Sequence, residues 1–194
     1  MRFHDLPGCR IELVRLHLKG LQAMHEYSVQ KKFYRFLEYR PHRTLNDTRD
    51  YLKKLLKISN SQTGHYWFIQ LKENKKIIGT FGVVNVDQRR RSGEIGYGIS
   101  PDYWGQGLFQ EALALVLKHL FADLNFHRVA AKSQANNSAS IRGLRKAGFK
   151  KEGVQRDFYL SYTGKRSDAV FLSMLRTEFL KSKKGKHDDC GCGF

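Results

Sequence analysis

Cysteines, long apolar runs and acidic side chains are all scarce in this sequence of 194 residues. The three cysteines, Cys9, Cys190 and Cys192, are too few for a disulfide scaffold. No apolar run reaches the ~18 residues that a membrane-spanning helix needs, and the stretch Met1–Pro7 contains no apolar signal region. We therefore expect a soluble, cytoplasmic protein that is long enough for one domain with a substantial core.

Acidic residues number 18 against 35 lysines and arginines, which leaves a formal net charge of +17. Such a surplus favours attraction to polyanions, among them nucleic acid, a ribosome surface and acidic proteins. The basic residues are scattered in short runs, without a clustered patch or a nucleic-acid-binding motif. A basic enzyme whose ligand is an anion accounts for the same charge, so ribosome or RNA proximity is one of two interpretations.

The centre of the sequence carries a strand, a turn and a helix in immediate succession, between residues 94 and 124. The segment 94–100 has the isoleucines and the tyrosine that are typical of a strand, interrupted by Gly96 and Gly98. Glycines inside a strand mark a bulge or the close approach of another group, and a simple bend of the sheet is the alternative. Pro101 cannot continue the strand and opens the turn.

A helix is predicted from Leu108 to about Leu124, where apolar residues recur at helical spacing. Gly105 and Gly107 flank its start, so side chains do not obstruct the backbone N–H groups there. A helix start with free amides favours an anion, most often a phosphate group. The sequence therefore predicts a phosphate site between the strand and the helix.

The residues around this site resemble the acetyl-CoA loop of the GNAT N-acetyltransferases. The run Tyr103-Trp104-Gly105-Gln106-Gly107, followed by Glu111-Ala112, is similar to the loop of the branch that acetylates alanine or serine at the N-terminus of ribosomal proteins. The resemblance implies that six positions bind acetyl-CoA: Trp104, Gly105, Gln106, Gly107, Leu108 and Phe109.

Two of the six positions depart from the family pattern. Phe109 replaces a small residue, so its side chain must point away from the diphosphate if its N–H is to serve. Gln106 replaces the lysine of this branch, which removes one positive charge near the anion.

A second motif of the same family follows at residues 136–149. Asn137 or Ser138 can cap a helix start, and Gly148 is placed to end that helix in a left-handed conformation. This resembles the family's Asn-x-x-Ser, followed by a helix that ends in Lys-x-Gly-Phe. Two motifs in the family's order indicate the family more strongly than either does alone.

The remaining periodicity gives the order of elements along the chain. Strands are predicted at 10–16, 66–71, 77–86, 94–100, 127–133, 154–162 and 168–176, and the first two helices at 18–37 and 44–58. This order resembles the GNAT fold over residues 10–178. The resemblance implies an α+β (mixed α/β) fold with a central, twisted, mostly antiparallel sheet of about seven strands. Helices cover both faces, and strands 4 and 5 are splayed apart.

We expect a single acetyltransferase domain over residues 1–180 and a disordered, basic and polar tail over residues 181–194. His187, Cys190 and Cys192 in this tail lack the four well-spaced ligands of a zinc site, so no metal is expected. The oligomeric state is left open between a monomer and a homodimer.

For the reaction, the resemblance implies direct attack of an amine on acetyl-CoA, with the pantetheine arm paired to the fourth strand. The Ile99 N–H is then expected near the thioester oxygen, and Asn137 is expected to hydrogen-bond the arm or to cap its helix. Ser140 resembles the serine proposed to protonate the leaving thiolate, and a helix-start serine without a chemical role is the alternative. Leu144 occupies the position at which many members place a tyrosine acid, which argues against the polyamine branch.

Glu94 is the best candidate for a general base, because the histone-acetylating branch also has a glutamate at this strand start. A solvated charge at the sheet edge is the alternative. Glu152 and Asp168 are rival carboxylates, and Asp168 more readily ties the last hairpin together. A strong base is hardly required for an α-amine, whose pKa is ~7.7–8.0 against ~10.4 for lysine.

The acceptor is expected between the first two helices and the last hairpin. Aromatic residues are the candidates to line this groove, with core packing as the alternative: Phe33, Tyr34, Phe36, Tyr39, Tyr159 and Tyr162. We assign substrate binding to Tyr34, Tyr39 and Tyr159. The prediction is an acetyl-CoA-dependent N-acetyltransferase acting on a protein N-terminus. The alternatives are acetylation of a small amine or antibiotic, and a non-catalytic, RNA-associated module that binds acetyl-CoA.

Overall fold

The computed structural model describes residues 3–184, and eight strands of this part of the chain form one sheet. The strands are β1 (Leu6–Pro7), β2 (Ile11–Arg15), β3 (His65–Leu71), β4 (Ile77–Asp87), β5 (Ser92–Ile99), β6 (Arg128–Gln134), β7 (Lys150–Leu160) and β8 (Arg166–Leu175). The helices are α1 (Leu21–Ser28), α2 (Leu45–Ser59), α3 (Leu108–Lys118), α4 (Ser138–Lys146) and α5 (Arg176–Lys184). The order across the sheet is β1-β2-β3-β4-β5-β6-β8-β7.

Side chains of β3 alternate between two hydrophobic cores, one on each face of the sheet. Trp67 and Ile69 belong to the larger core, which also contains apolar residues of α3, α4 and α5. Phe68 belongs to the smaller core, together with residues of α1 and α2 such as Met24 and Leu52. Helices therefore cover both faces, as predicted.

Strands β5 and β6 pair in parallel over only four residue pairs, from Ser92 with Arg128 to Ile95 with Ala131. Beyond Ile95, β5 pairs only with β4, while β6 continues against β8 up to Gln134. The predicted mixed fold with strands 4 and 5 splayed apart is confirmed, and these two strands are β5 and β6. The short β1 precedes the first predicted strand, so the sheet has eight strands where about seven were predicted.

The register with β4 decides where the free backbone groups of β5 point. The Ser100 N–H donates to the Ile78 carbonyl at 2.7 Å. Alternate residues of this antiparallel pair, including Tyr97 and Ile99, therefore lie at positions that do not hydrogen-bond to β4. Their N–H and C=O groups point towards β6, which has moved away at this level.

The helix predicted over residues 18–37 is the element that differs from the structure. Short 3₁₀ turns at residues 18–20 and 31–34 flank α1, which ends at Ser28. Gln30 has an extended backbone, with ψ of 114°, and Phe33 then lies across Gly98, where a Cβ would approach its ring to 2.7 Å. Contact with the strand overrides helix propensity in this segment.

The other helix ends lie close to the positions that the sequence predicts. Thr44 caps α2 in a reciprocal capping box with Asp47, and Gly148 follows α4 with φ of +101°. α5 extends into the predicted tail as far as Lys184, while residues 185–194, including His187, Cys190 and Cys192, lie outside the described residues. None of the helices described is both long enough and apolar enough to cross a membrane.

Glu111, in the first turn of α3, joins this helix to the start of β2. One carboxylate oxygen accepts the backbone N–H groups of Cys9 and Arg10, both at 2.8 Å, and of Ile11 at 3.2 Å. The other oxygen pairs with the Arg10 guanidinium at 3.0 Å. This buried carboxylate has its charge balanced and its acceptor positions filled, and it holds the start of α3 against β2.

Glu152 on β7 links the last three strands of the sheet. Its carboxylate forms a bidentate pair with Arg128 of β6 and accepts the Ser173 hydroxyl of β8 at 2.6 Å. The hydrogen bonds from Arg128 and Ser173 lower the pKa of Glu152 to about 2.

We expect Glu152→Gln to lower the melting temperature at pH 7 by about 2–4 °C, the effect of ~1 kcal/mol from a partly exposed ion pair. The pKa of folded Glu152 lies below its ordinary value of 4.5. The stabilisation is therefore present above that value and is lost as the pH falls towards 2. Thermal scans of both proteins should show the gap closing below pH 4.5.

The matched control is Glu73→Gln, which removes the same charge from an exposed turn and should show no such pH-dependent gap. A Glu152→Gln gap of equal size at pH 7 and pH 3 would contradict the role of this carboxylate.

Candidate active site

A cavity of about 770 Å³ lies where β5 and β6 part, beneath the starts of α3 and α4. Its wall includes all but one of the residues to which the sequence analysis assigned a catalytic, cofactor-binding or substrate-binding role: Glu94, Ile99, Trp104, Gly105, Gly107, Leu108, Phe109, Asn137, Ser140, Tyr34, Tyr39 and Tyr159. Gln106 does not line it. The splay of the strands thus brings residues from distant parts of the chain to one cavity.

The loop at residues 104–109 has the geometry of an anion site. Gly107 is the N-cap of α3 with φ of +77°, and Gly105 has φ of +78°. This left-handed conformation is one that only glycine adopts readily. No side chain caps the helix start, and none of the backbone N–H groups of residues 105–109 donates to an acceptor in the described part of the chain. Several unpaired donors therefore converge at a helix N-terminus.

Phe109 and Leu108 point away from these donors, as the sequence requires. The Phe109 ring packs on Tyr97, with centroids 4.4 Å apart, and against Gly143 of α4, where a Cβ would lie 2.8 Å from the ring. Leu108 is buried in the core. Gln106 contributes its carbonyl, which accepts a hydrogen bond from Arg10 Nη1 at 2.9 Å.

Strand β5 offers its backbone to the cavity beside this loop. The Ile99 N–H faces the gap, and the Ile99 carbonyl accepts the Trp104 indole N–H at 2.7 Å. A Cβ on Gly96 would meet no other atom within 4 Å, so this glycine leaves open space along the strand. The arrangement suits an extended ligand that pairs with β5 as an extra strand would.

Ser140 lies across the gap from β5 and contacts Tyr97, a residue that the sequence analysis did not assign to the site. Its hydroxyl is 2.8 Å from the Tyr97 hydroxyl, and its backbone N–H donates to the Asn137 side chain, which caps α4. Burial raises the pKa of Tyr97 to about 12, so the phenol stays protonated at neutral pH. Leu144, the position compared above with the tyrosine acid of the family resemblance, is fully buried. The phenol that contacts Ser140 is therefore Tyr97, which comes from the strand instead of the helix.

Glu94 lies where β5 and β6 begin to part, paired with a second residue that the sequence did not indicate. Lys132 Nζ is 2.8 Å from its carboxylate, and both side chains line the cavity. Lys132 also lies over the Phe158 and Phe171 rings, at 5.4 and 5.6 Å from their centroids. To accept a proton from an amine, Glu94 has to leave this ion pair or share it.

The rival carboxylates do not line the cavity. Glu152, with its pKa lowered to about 2, is held by Arg128 and Ser173. Asp168 accepts the Asp157 N–H at 3.0 Å and thereby ties the last hairpin together, as expected.

The predicted acceptor residues form the far side of the cavity, with different exposure. Tyr34 is buried, Tyr159 is half-buried and Tyr39 is 52% exposed. Burial raises the pKa of each of these phenols, so all three remain neutral hydrogen-bonding groups. Phe33 and Phe36 also line the cavity, whereas Tyr162 does not.

Away from the cavity, His4, His119 and Asp123 each place a ligand atom within 4.8 Å of the others. His119 Nδ1 already hydrogen-bonds to Asp123 at 2.8 Å. None of these three residues lines the cavity.

Known proteins are similar to this chain in both sequence and fold. Residues 10–150 match the family described as the acetyltransferase (GNAT) domain. An uncharacterized N-acetyltransferase, p20 of Bacillus licheniformis, is 28% identical over 170 residues, which cover 88% of this chain and 95% of p20. The ribosomal protein uS5-alanine N-acetyltransferase of Escherichia coli is 31% identical over 103 residues, which are 53% of each chain.

A crystal structure shows the same architecture. A GNAT-family acetyltransferase from Bacillus anthracis superimposes with a TM-score of 0.79 at 22% identity, covering 90% of this chain and 99% of that one. Because the family match runs from the start of β2 to the start of β7 and includes the loop, the parting strands and the start of α4, the chain belongs to the GNAT family of acetyl-CoA-dependent N-acetyltransferases.

Proposed function

We propose that the acceptor is the α-amine at the N-terminus of a protein, such as a ribosomal protein. The observation that carries this proposal is the state of the acidic residues around the cavity. Within the described residues, the acids that line it are Glu94 and Glu38. Glu94 pairs with Lys132, and Glu38 accepts the Leu160 N–H at 3.0 Å. Neither carboxylate stands unengaged beside the acceptor, where it would deprotonate a strongly basic ammonium group.

An α-amine suits such a site, because its pKa of ~7.7–8.0 leaves a fraction of it neutral at pH 7, whereas a lysine at ~10.4 is almost entirely charged. Similarity to the E. coli uS5-alanine enzyme over half of the chain supports the same acceptor. The net charge of +17 fits work close to a ribosome, and in this proposal the enzyme is cytoplasmic.

In the reaction, the neutral amine attacks the thioester carbonyl, a C–N bond forms and the C–S bond breaks. The Ile99 N–H stabilises the oxyanion of the tetrahedral intermediate. Ser140 donates its proton to the leaving thiolate, and Tyr97 orients the Ser140 hydroxyl through their 2.8 Å hydrogen bond. The proton released by the amine passes to Glu94 or to water, and Ser140 regains a proton from water, so that the net transfer is from the amine to the thiol.

The test compares acceptors by following thiol release from acetyl-CoA. A peptide with a free N-terminal alanine and no lysine is matched with the same peptide acetylated at its N-terminus and carrying one lysine. Spermidine and an aminoglycoside represent small amines. We expect kcat/KM for the α-amine peptide to exceed that for the lysine peptide roughly tenfold or more at pH 7, because the two pKa values differ by ~2.5.

Equal or faster turnover of the lysine peptide or of a small amine would overturn the α-amine proposal. Binding of acetyl-CoA without thiol release from any acceptor would instead favour the non-catalytic module.

Ser140→Ala should lower kcat roughly 100-fold, the usual effect of losing a general acid, with little change in KM for acetyl-CoA. Tyr97→Phe should lower kcat by about 3- to 10-fold, since it removes one orienting hydrogen bond. The double variant should be no slower than Ser140→Ala, because Tyr97 acts through Ser140. Steady-state kinetics measure all three.

Ser138→Ala is the matched control at the exposed start of the same helix and should retain full activity. Unchanged kcat in Ser140→Ala would remove the acid role, and additive losses in the double variant would show that Tyr97 acts independently.

Glu94→Gln should lower kcat/KM by about 3- to 10-fold at pH 7, because a weak base contributes little when part of the amine is already neutral. The loss should shrink as the pH rises above ~8, where the α-amine deprotonates in solution. A pH profile from 6 to 9 measures this. A loss that persists undiminished at pH 9 would show that Glu94 serves binding or folding instead of proton transfer.

A further inference from the structure

The six residues of the diphosphate loop, 104–109, contain no lysine or arginine. Coenzyme A nevertheless brings a diphosphate to this loop, and the loop itself offers only backbone N–H groups to balance its charge. Arg142 of α4 lines the same cavity, but no charged side chain belongs to the loop. The sequence has Gln106 at the position where a lysine is expected. The structure brings a cation to this place from a different part of the chain.

Arg10, immediately before β2, reaches the underside of the loop. Its Nη1 donates to the Gln106 carbonyl at 2.9 Å, and its Nη2 lies 3.5 Å from the point where a Cβ on Gly107 would stand. Nη2 donates to no acceptor among the described residues. One edge of the guanidinium therefore lies against the peptide that begins α3.

Glu111 fixes this orientation. Its carboxylate, whose side chain is 9% exposed, binds Arg10 Nε at 3.0 Å while three backbone N–H groups occupy its remaining positions. The planar fork of arginine is thus held at its Nε edge, and its two terminal nitrogens are directed towards the loop. The side chain remains 56% exposed, so a ligand at the loop can sense its charge.

We propose that Arg10 is a cation of the diphosphate site and replaces the charge that Gln106 does not supply. Arg10 does not itself line the cavity, and it acts through the loop in two ways. Its bond to the Gln106 carbonyl polarises the peptide whose N–H belongs to Gly107, which makes that N–H a stronger donor. Its charge also offsets Glu111, whose carboxylate in the first turn of α3 would otherwise repel an anion at the same helix start.

This inference depends on acetyl-CoA as the co-substrate and not on the identity of the acceptor. It can therefore fail while the α-amine proposal stands, and the reverse also holds. Binding measurements without any acceptor test it directly.

The experiment measures dissociation constants of wild type, Arg10→Gln and Arg10→Lys for three ligands. CoA carries the diphosphate and a 3′-phosphate, 3′-dephospho-CoA keeps only the diphosphate, and pantetheine has neither. Calorimetry serves the first two ligands, and ligand-observed NMR serves pantetheine. We expect Arg10→Gln to raise Kd for CoA and for 3′-dephospho-CoA about tenfold, the order expected for one nearby charge that is partly screened because the side chain is half exposed, with pantetheine unchanged within about twofold.

Salt dependence gives a second readout that a merely structural role would not move. Added salt should weaken CoA binding to wild type more steeply than binding to Arg10→Gln, since the variant has lost one of the charges that salt screens. Arg10→Lys keeps a charge but cannot bind Glu111 and the Gln106 carbonyl with one rigid fork, so we expect an intermediate Kd.

Arg15→Gln is the matched control. Arg15 ends the same strand, pairs with Asp5 and is 71% exposed, and its replacement should leave all three dissociation constants unchanged. Equal losses for CoA and pantetheine would mean that Arg10 only holds the fold. A loss for CoA but not for 3′-dephospho-CoA would assign the charge to the 3′-phosphate, and either result overturns the proposal. Should Arg10→Gln not fold, an unchanged ratio of the CoA and pantetheine constants in Arg10→Lys would overturn it equally.

Discussion

The parting of β5 and β6 beyond Ile95 is the constraint on which the rest of this structure depends. Backbone groups that leave a ladder need new partners, because an unpaired N–H or C=O in a buried position is costly. The Ile99 carbonyl accepts the Trp104 indole N–H, while the Ile99 N–H and the backbone groups of Tyr97 face a cavity wide enough for an extended ligand. The same parting lets α3 and α4, which follow β5 and β6, begin side by side, with Gln110 Nε2 donating to the Gly143 carbonyl at 2.9 Å. The strand-like site proposed for the pantetheine arm and the helix-start site proposed for the diphosphate therefore both follow from one interruption in the sheet.

The proton-carrying groups are also arranged by this interruption, because each pair spans the gap. Glu94 and Lys132 come from the two strands at the level where they begin to separate. Ser140 and Tyr97 come from α4 and β5 at the wider end. In the proposed reaction, acid and base are thus separated along the cavity, with Ser140 and the half-buried Tyr97 forming one pair and Glu94 and Lys132 the other. A shift of either strand would move one member of each pair away from the other, so the geometry of the sheet and the chemistry cannot be tuned independently.

Local patterns made the fold and the loop predictable, whereas contacts between distant residues were not. Some features can be recognised from a few neighbouring residues: a glycine that must adopt φ of +77°, an asparagine that caps a helix and the alternation of β3. The contacts of Tyr97 with Ser140 and of Lys132 with Glu94 cannot be recognised in this way, because they depend on how separate elements pack. The helix predicted over residues 18–37 fails for the same reason: Phe33 settles on Gly98 only once the sheet exists. The predicted site residues do line one cavity, apart from Gln106, and their chemical roles stay predictions.

The two departures from the family's loop pattern are each matched by a change in space or charge elsewhere. Phe109 stands where the family pattern has a small residue. Its ring fits because the facing residue of α4 is Gly143, on which a Cβ would lie only 2.8 Å from the ring. Gln106 lacks a charge, and Arg10, the residue before β2, brings one to the same peptide. A motif compared letter by letter would count both positions against the assignment. The physical requirements of the loop are unobstructed backbone donors and a nearby positive charge, and side chains outside the motif can meet both. The proposed anion site is therefore a property of the packed chain from the start of β2 through α3 and α4, and the six-residue loop is only the part proposed to adjoin the diphosphate.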